Sequence, residues 1–287
     1  MATMRTIKKR INSVKNTKKI MKAMNLVATS KLQKARSRLE SVRVLSDSMT
    51  DVMESVKACI DDYDEIAFCE EREVKNIAYV VMTSDRGLCG SFNANVSKEA
   101  FSLIEASGGK QEKVIAVGKK GWEYLTRRSK NVIHRTPAAS EVTSYTDAEI
   151  LGERVAQMFL SGEVDEVYVI TTRFQTILTH EPNVIKLLPF KKEVSSEVSG
   201  RTPTMLFDPD PKTFIHNAIP MFLKISIFAA MLESAVCEQA SRMTSMDSAT
   251  RNATEIIEKL TLEFNRVRQS RITQEIIEIV TGANAVK

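Results

Sequence analysis

Apolar side chains recur along residues 1–60 at alternating steps of four and three. Of the sixteen positions 7, 11, 14, 18, 21, 25, 28, 32, 35, 39, 42, 46, 49, 53, 56 and 60, thirteen are apolar, from Ile7 and Ile11 to Val56 and Ile60; the exceptions are Lys18, Asn25 and Ser46. A period of 3.5 residues held over this length is the signature of a coiled-coil seam rather than of an ordinary surface helix. No Gly or Pro interrupts residues 1–86. At about 1.5 Å per residue, a helix from Thr3 to Ala58 would be roughly 80 Å long.

The pattern returns near the C-terminus. Asp210-Pro211 is a helix start, since Asp caps and Pro tolerates the first helical position. Pro220 removes a backbone donor and predicts a kink or break. From Phe222 the same steps reach Val267 with twelve of fourteen positions apolar, Gln239 and Thr250 being the exceptions. Beyond Val267 the frame shifts and the apolar residues become Ile272, Ile276, Ile277, Ile279 and Val280, so the C-terminal helix is expected to outrun its partner and leave an apolar tip for another protein. Gly282 is placed to end it. Neither terminal helix can bury its seam alone, and antiparallel pairing within the chain is the simplest solution. Two separate coiled-coil dimers are the alternative.

The middle of the chain, about 75–192, changes period. Short β-branched runs at 77–83, 114–117, 132–134, 167–170 and within 177–190 read as strands. They alternate with helical stretches at 93–105, 121–127 and 147–160, the last opened by Thr146-Asp-Ala-Glu149 with capping-box spacing. This alternation predicts a mostly parallel sheet covered by helices. The acidic run at 61–73 reads as a solvated connector and 191–204 as a polar return linker. Three segments result: an N-terminal coiled-coil helix over 1–60, an inserted domain over 75–192 and a C-terminal coiled-coil helix over 210–287.

Composition sharpens this picture. The chain has 287 residues, 10 Gly, 7 Pro and 13 Met, with 6% aromatics, which suits long helices packed through adaptable side chains. The net charge of +5 is unevenly spread: residues 1–39 carry twelve Lys and Arg and no acid. Lys8, Lys9, Arg10, Lys15, Lys18, Lys19 and Lys22 belong to that basic helix. It reads as a solvated face, as a phosphate-binding surface for nucleic acid, or as a surface for acidic protein segments. The N-terminus lacks the apolar core of a secretory signal, and the most apolar stretch, 219–232, is interrupted by Pro220 and Lys224 and is too short to span a bilayer.

Little in the sequence points to chemistry. The four cysteines, Cys59, Cys69, Cys89 and Cys237, form no CxxC pair, and with three His no metal spacing arises. There is no phosphate-binding GxxxxGK[ST] loop and no GxGxxG. The turn Asp85, Arg86, Gly87, Leu88, Cys89, Gly90 follows the first strand, where an α/β domain places a ligand. The competing reading is a structural turn with Asp85 and Arg86 paired locally. Cys89 as a nucleophile would need a His base, and none is suitably placed.

Three segments resemble the gamma subunit family of F-type ATP synthases: Ile7-Lys-Lys-Arg-Ile11 through Asn16–Met24 to Val27–Lys31, Thr83–Asn93, and Arg266–Ala285. In the last, Ile272, Thr273, Glu275, Glu278, Gly282 and Ala283 stand at the spacing of the family's C-terminal signature. The resemblance covers essentially the whole chain. It implies a mixed α+β fold, with a long antiparallel two-helix coiled coil of the terminal helices and an inserted α/β, Rossmann-like domain of about five strands. It implies a non-catalytic rotor shaft turning inside a ring of three alpha and three beta subunits, with the epsilon subunit and the membrane c-ring as further partners. ATP, ADP and Mg would be bound by alpha and beta, with no cofactor, metal or nucleic acid held by this chain. Arg268, Gln269, Thr273 and Glu275 would be the contacts to the stator, and the basic helix would face beta. The thiol-regulated insertion of the chloroplast form is absent from the pattern. No cleavable presequence precedes the family's start, so the resemblance implies a bacterial protein, peripheral on the cytoplasmic face of the plasma membrane, rather than an organellar one.

Overall fold

The computed structural model describes residues 3–58, 67–70, 72–140, 142–190 and 211–285. The elements in chain order are α1 (Met4–Ala58), β1 (Asn76–Met82), α2 (Phe92–Ala106), β2 (Gln111–Val117), α3 (Lys119–Thr126), β3 (Val132–Thr136), α4 (Tyr145–Leu160), β4 (Glu166–Phe174), β5 (His180–Leu188) and α5 (Pro211–Ala285). The chain forms two compact units, one of residues 1–28 with 243–287 and the other of residues 29–242. The division cuts through α1 and α5, so it does not follow the helix–domain–helix segments of the sequence.

In the first unit α1 and α5 pack antiparallel. Ile7, Ile11 and Leu260 are buried together, with Val14, Ile257, Phe264 and Val267 against them. At the other end of the unit, the Asn25 side-chain amide donates to the Met243 carbonyl at 2.8 Å. The 4-3 positions of α1 predicted the buried stripe in both units: each of the fifteen from Ile7 to Val56 is buried or half-buried, including Lys18, Asn25 and Ser46. The sixteenth, Ile60, lies outside the described residues.

In the second unit a five-stranded sheet has the order β3-β2-β1-β4-β5. β1 pairs parallel with β2 and β4, β2 pairs parallel with β3, and β5 returns antiparallel to β4. The buried runs of β1 and β2 reflect a sheet covered on both faces. Here α5 departs from a simple seam. Residues 230–241 are buried at every position except Glu233, and α1, β4 and the β1–α2 turn all hydrogen-bond to this stretch of the helix. A window of α5 is apolar enough to cross a membrane by length and composition alone, and 61% of it is buried inside the fold. That apolarity therefore has a place in the core.

Several local expectations are corrected. The helix does not break at Pro220, which lies inside α5. Its neighbours Ile219 and Leu223 are fully buried, and this packing offsets one missing backbone hydrogen bond. Gly282 does not end the helix, which runs on to Ala285; an exposed Gly costs only about 1 kcal/mol in a helix. The capping box of α4 is Ser144–Asp147, two residues before the one expected. The Ser144 hydroxyl accepts from the Asp147 N–H and the Asp147 carboxylate accepts from the Ser144 N–H. Part of the acidic connector is not solvated: Phe68 and Cys69 are buried, and the Phe68 ring stacks on Phe159. Residues 61–66 and 71 of that run, and the return linker at 191–204, lie outside the described residues.

Candidate functional site

The surface that the first unit presents is set by where α1 begins. The cluster containing Ile7 and Val267 is the last layer packed by both helices. From Arg268 to Gly282 every residue of α5 is exposed. At about 1.5 Å per residue, the helix extends roughly 27 Å past Val267. Ile272, Ile276, Ile277, Ile279 and Val280 are all solvent-facing, Ile279 by 71%. Such a concentration of exposed β-branched residues marks an interaction surface.

The polar residues of the tip brace the helix itself. Arg271 pairs with Glu275 at 2.9 Å, Gln274 donates to Glu278 at 3.2 Å, and the hydroxyls of Thr273 and Thr281 donate to the carbonyls of Gln269 and Ile277. All four are i, i+4 contacts, and the two side-chain pairs, Arg271–Glu275 and Gln274–Glu278, are worth a few tenths of a kcal/mol each. They keep an unpacked extension helical and leave the remaining faces of Arg268, Gln269, Thr273 and Glu275 open.

Lys8, Lys9, Arg10, Lys15, Lys19 and Lys22 of α1 are exposed, and Lys18 is half-buried at the seam. Lys15, Lys18, Lys19 and Lys22 line an open groove with Asn12, Asn16, Thr254, Ile257 and Glu258. Four ammonium groups against one carboxylate give the groove a positive potential.

In the second unit the β1–α2 turn is built as a structural knot. The Asn93 side-chain oxygen accepts from the Ser84 N–H at 2.9 Å, while its amide donates to the Ser84 hydroxyl at 2.7 Å and to the Cys89 sulfur at 3.1 Å. The Ser84 hydroxyl donates to the Arg86 carbonyl at 2.6 Å. Leu88 and Gly90 take left-handed φ values of 64° and 56°. A Leu in that region is strained by about 1–3 kcal/mol, held by the surrounding contacts.

Asp85 does not spend its charge on Arg86, as the structural reading of the turn expected. Its two oxygens accept from the backbone N–H groups of Lys119, at the start of α3, and Ala138. A carboxylate at a helix N-terminus needs no side-chain cation.

The turn is also fastened to α5, which sequence reasoning missed. The Ser241 hydroxyl donates to the Cys89 carbonyl at 2.6 Å, and Arg242 donates to the Gly87 carbonyl at 3.3 Å while pairing with Glu238 at 2.6 Å. Burial pushes the Glu238 carboxyl above its ordinary value; Arg242 and Lys31 pull it down, and Asp85 pushes it up. A backward step of four from Arg242 to Glu238 was the available signal.

Cys89 packs with Phe92 and Cys237, and Phe174 lies against them. Burial pushes the thiols of both Cys89 and Cys237 up. A thiol held protonated, with no His in its hydrogen bonds, is packing rather than a nucleophile. Among the described residues no group of three or more His, Cys, Asp or Glu could hold a metal.

A sequence model of the family described as ATP synthase matches residues 3–286. The ATP synthase gamma chain of Desulforamulus reducens is 40% identical over 287 residues, covering all of both chains, and that of Pelagibacter ubique is 38% identical over 292 residues, again covering both in full. In fold, the chain is similar to a rotor chain of the Euglena gracilis mitochondrial ATP synthase, with a TM-score of 0.70, 16% identity and 94% and 98% of the two chains covered. It is also similar to a central-stalk chain of the Tetrahymena thermophila enzyme, with a TM-score of 0.61, 24% identity and 80% and 99% covered. Full-length matches at this identity, together with the same antiparallel helices and inserted sheet, show that the chain belongs to the ATP synthase gamma chain family.

Proposed function

We propose that this chain is the central rotor shaft of an ATP synthase head, coupling proton flow through the membrane sector to ATP synthesis or hydrolysis on beta subunits. The observation that carries the reading is the wholly exposed run of α5 from Arg268 to Gly282, apolar on Ile272, Ile276 and Ile279 and polar on Arg268, Gln269, Thr273 and Glu275. A ring of three alpha and three beta subunits would surround this tip. Its apolar residues would run in an apolar sleeve, and its polar ones would meet beta in an orientation-dependent way. A shaft changes the affinity of a site only through interactions that differ between orientations. The exposed lysines of α1 suit acidic segments on beta, where complementary charge sets orientation and rate more than affinity.

The chain itself carries out no chemistry in this reading. Nucleotide and Mg belong to alpha and beta, and no cofactor is assigned to this chain. The α/β domain faces the epsilon subunit and the membrane c-ring. The complex is peripheral on the cytoplasmic face of a bacterial plasma membrane.

Reconstitution tests the reading. Purified alpha and beta are mixed with the full chain or with a version ending at Asn265, and assembly and ATP hydrolysis are recorded. The expected result is a 3:3:1 complex with cooperative turnover, and loss of coupling on truncation. A full chain that never enters the ring, with turnover indifferent to its presence, overturns the assignment.

A further inference from the structure

Along α5, residues 230, 233, 237 and 241 are spaced by three, four and four, so they lie on one stripe of the helix. Each makes a hydrogen bond to the inserted domain. The Thr171 hydroxyl donates to the Ala230 carbonyl at 3.3 Å, and the Phe174 N–H donates to the Glu233 carboxylate at 3.1 Å. The Cys237 thiol donates to the Thr172 carbonyl at 3.4 Å, and the Ser241 hydroxyl to the Cys89 carbonyl at 2.6 Å. Arg242 adds the Gly87 carbonyl beside them. Most of these partners are backbone atoms of β4 or of the knotted β1–α2 turn.

The same stripe reaches α1. Glu233 pairs with Arg43 at 3.0 Å, so one half-buried carboxylate holds α1, α5 and the end of β4 together. A second tie runs from Arg38 of α1 to the Thr143 carbonyl, just before α4, at 2.8 Å.

Apolar packing resists separation of two elements but resists sliding and turning poorly, because dispersion has no preferred direction. Hydrogen bonds do have one. A side-chain atom about 5 Å from a helix axis moves by roughly 2 Å when the helix turns by about 20°, which takes a hydrogen bond out of range. Three such side-chain bonds along one stripe, from Glu233, Cys237 and Ser241, therefore act as a key in a slot.

We infer that Glu233, Cys237, Ser241 and Arg242 form a keyed joint that fixes the angle of α5 against the α/β domain, so that torque passes between them without twist. The inference rests on the rotor reading. These are positioning residues: none need touch nucleotide or the stator.

The test uses the complete ATP synthase carrying this chain, held by its alpha–beta ring, with a bead attached through Lys110→Cys on the exposed face of the domain. The angular variance of the bead is measured while the enzyme is stalled, alongside ATP hydrolysis. Glu233→Ala combined with Ser241→Ala is expected to raise the variance at least about twofold, because the Phe174 and Cys89 ties to the domain and the Arg43 tie to α1 are lost together, while hydrolysis in the unloaded enzyme is unchanged. Glu233→Gln, which keeps an oxygen for the Phe174 N–H, is expected to retain the wild-type variance. A purely structural role would lower the yield of complex without altering the variance of the complexes that form. Wild-type variance in the double variant overturns the joint. Should the double variant not assemble, Ser241→Ala alone decides on the same terms. A wild-type complex in which the bead does not turn with ATP sinks the rotor reading first, and the joint with it.

Discussion

The amide of Asn25 donates to the backbone carbonyl of Met243 across the helix pair at 2.8 Å, at a seam position where an apolar side chain would otherwise sit. A single polar residue in such a seam costs stability and fixes register, since a slipped pairing would strand the amide. Asn25→Leu is expected to leave the melting temperature unchanged or raise it, while loosening the register. Spin labels at Lys9 and Glu263, both exposed, would report this by double electron–electron resonance. A broadened distance distribution is expected in the variant, and an unchanged narrow one would show that apolar packing alone sets the register.

Glu238 gives a pH dependence whose sign follows from its surroundings. Burial outweighs Arg242 and Lys31, so the folded chain holds the Glu238 proton more tightly than the unfolded chain, whose ordinary value is 4.5. A raised value means that the contribution to stability is fully present below that ordinary value and is lost as pH rises through the folded one. The melting temperature of Glu238→Gln minus that of wild type is therefore expected to grow as pH increases from about 4 to about 7, other groups cancelling in the difference. A difference that shrinks over this range would mean that the ion pair dominates.

The parts of this fold that were legible in the sequence are those written as period. The 4-3 stripe of α1 was readable because each seam residue meets a helix that repeats every 3.5 residues, and the strands of the middle segment were readable because β-branched runs tolerate little else. The joint was not legible. Ser241 and Arg242 look like ordinary helix residues, and only the tertiary path of the β1–α2 turn brings the carbonyls of Cys89 and Gly87 to them. Pro220 and Gly282 misled for a related reason. Each is a local preference of one to a few kcal/mol; the fully buried Ile219 and Leu223 offset it at Pro220, and at the exposed Gly282 it is too small to stop a helix already formed. At the tip, the shift of apolar positions after Val267 located the exposed surface, because a helix without a partner shows its pattern directly. The capping box slipped by two residues because Ser144 and Thr146 both have an acid three positions on.

The exposed tip predicts how the isolated chain behaves. With Ile272, Ile276, Ile277, Ile279 and Val280 open to solvent, the chain is expected to self-associate at micromolar concentration. Replacing Ile276 and Ile279 by Ser should make it monomeric in sedimentation, and should weaken its entry into an alpha–beta ring in the same measurement. Both residues lie beyond the last packed layer of the helix pair, so the melting temperature should change little. Loss of self-association with undiminished assembly would place the contact with the ring elsewhere.

Gly118 is the residue at which the domain tolerates least. It sits between β2 and α3 with φ at +96°, and a Cβ there would lie 2.2 Å from the Thr83 carbonyl oxygen. Thr83 cannot retreat, because its N–H and hydroxyl both donate to the Val117 carbonyl and its hydroxyl accepts from the Gly121 N–H at 2.8 Å. The close approach and the left-handed backbone act together, so Gly118→Ala is expected to cost at least ~3 kcal/mol, at the severe end for a single substitution. In thermal unfolding this corresponds to a fall on the order of 5–10 °C. Gly87→Ala, with nothing within 4 Å of its added carbon, is the control and should shift the transition little. Equal shifts in the two variants would mean that the β2–α3 junction can open at low cost. The fixed geometry of Asp85 on the first N–H of α3 would then lose its support.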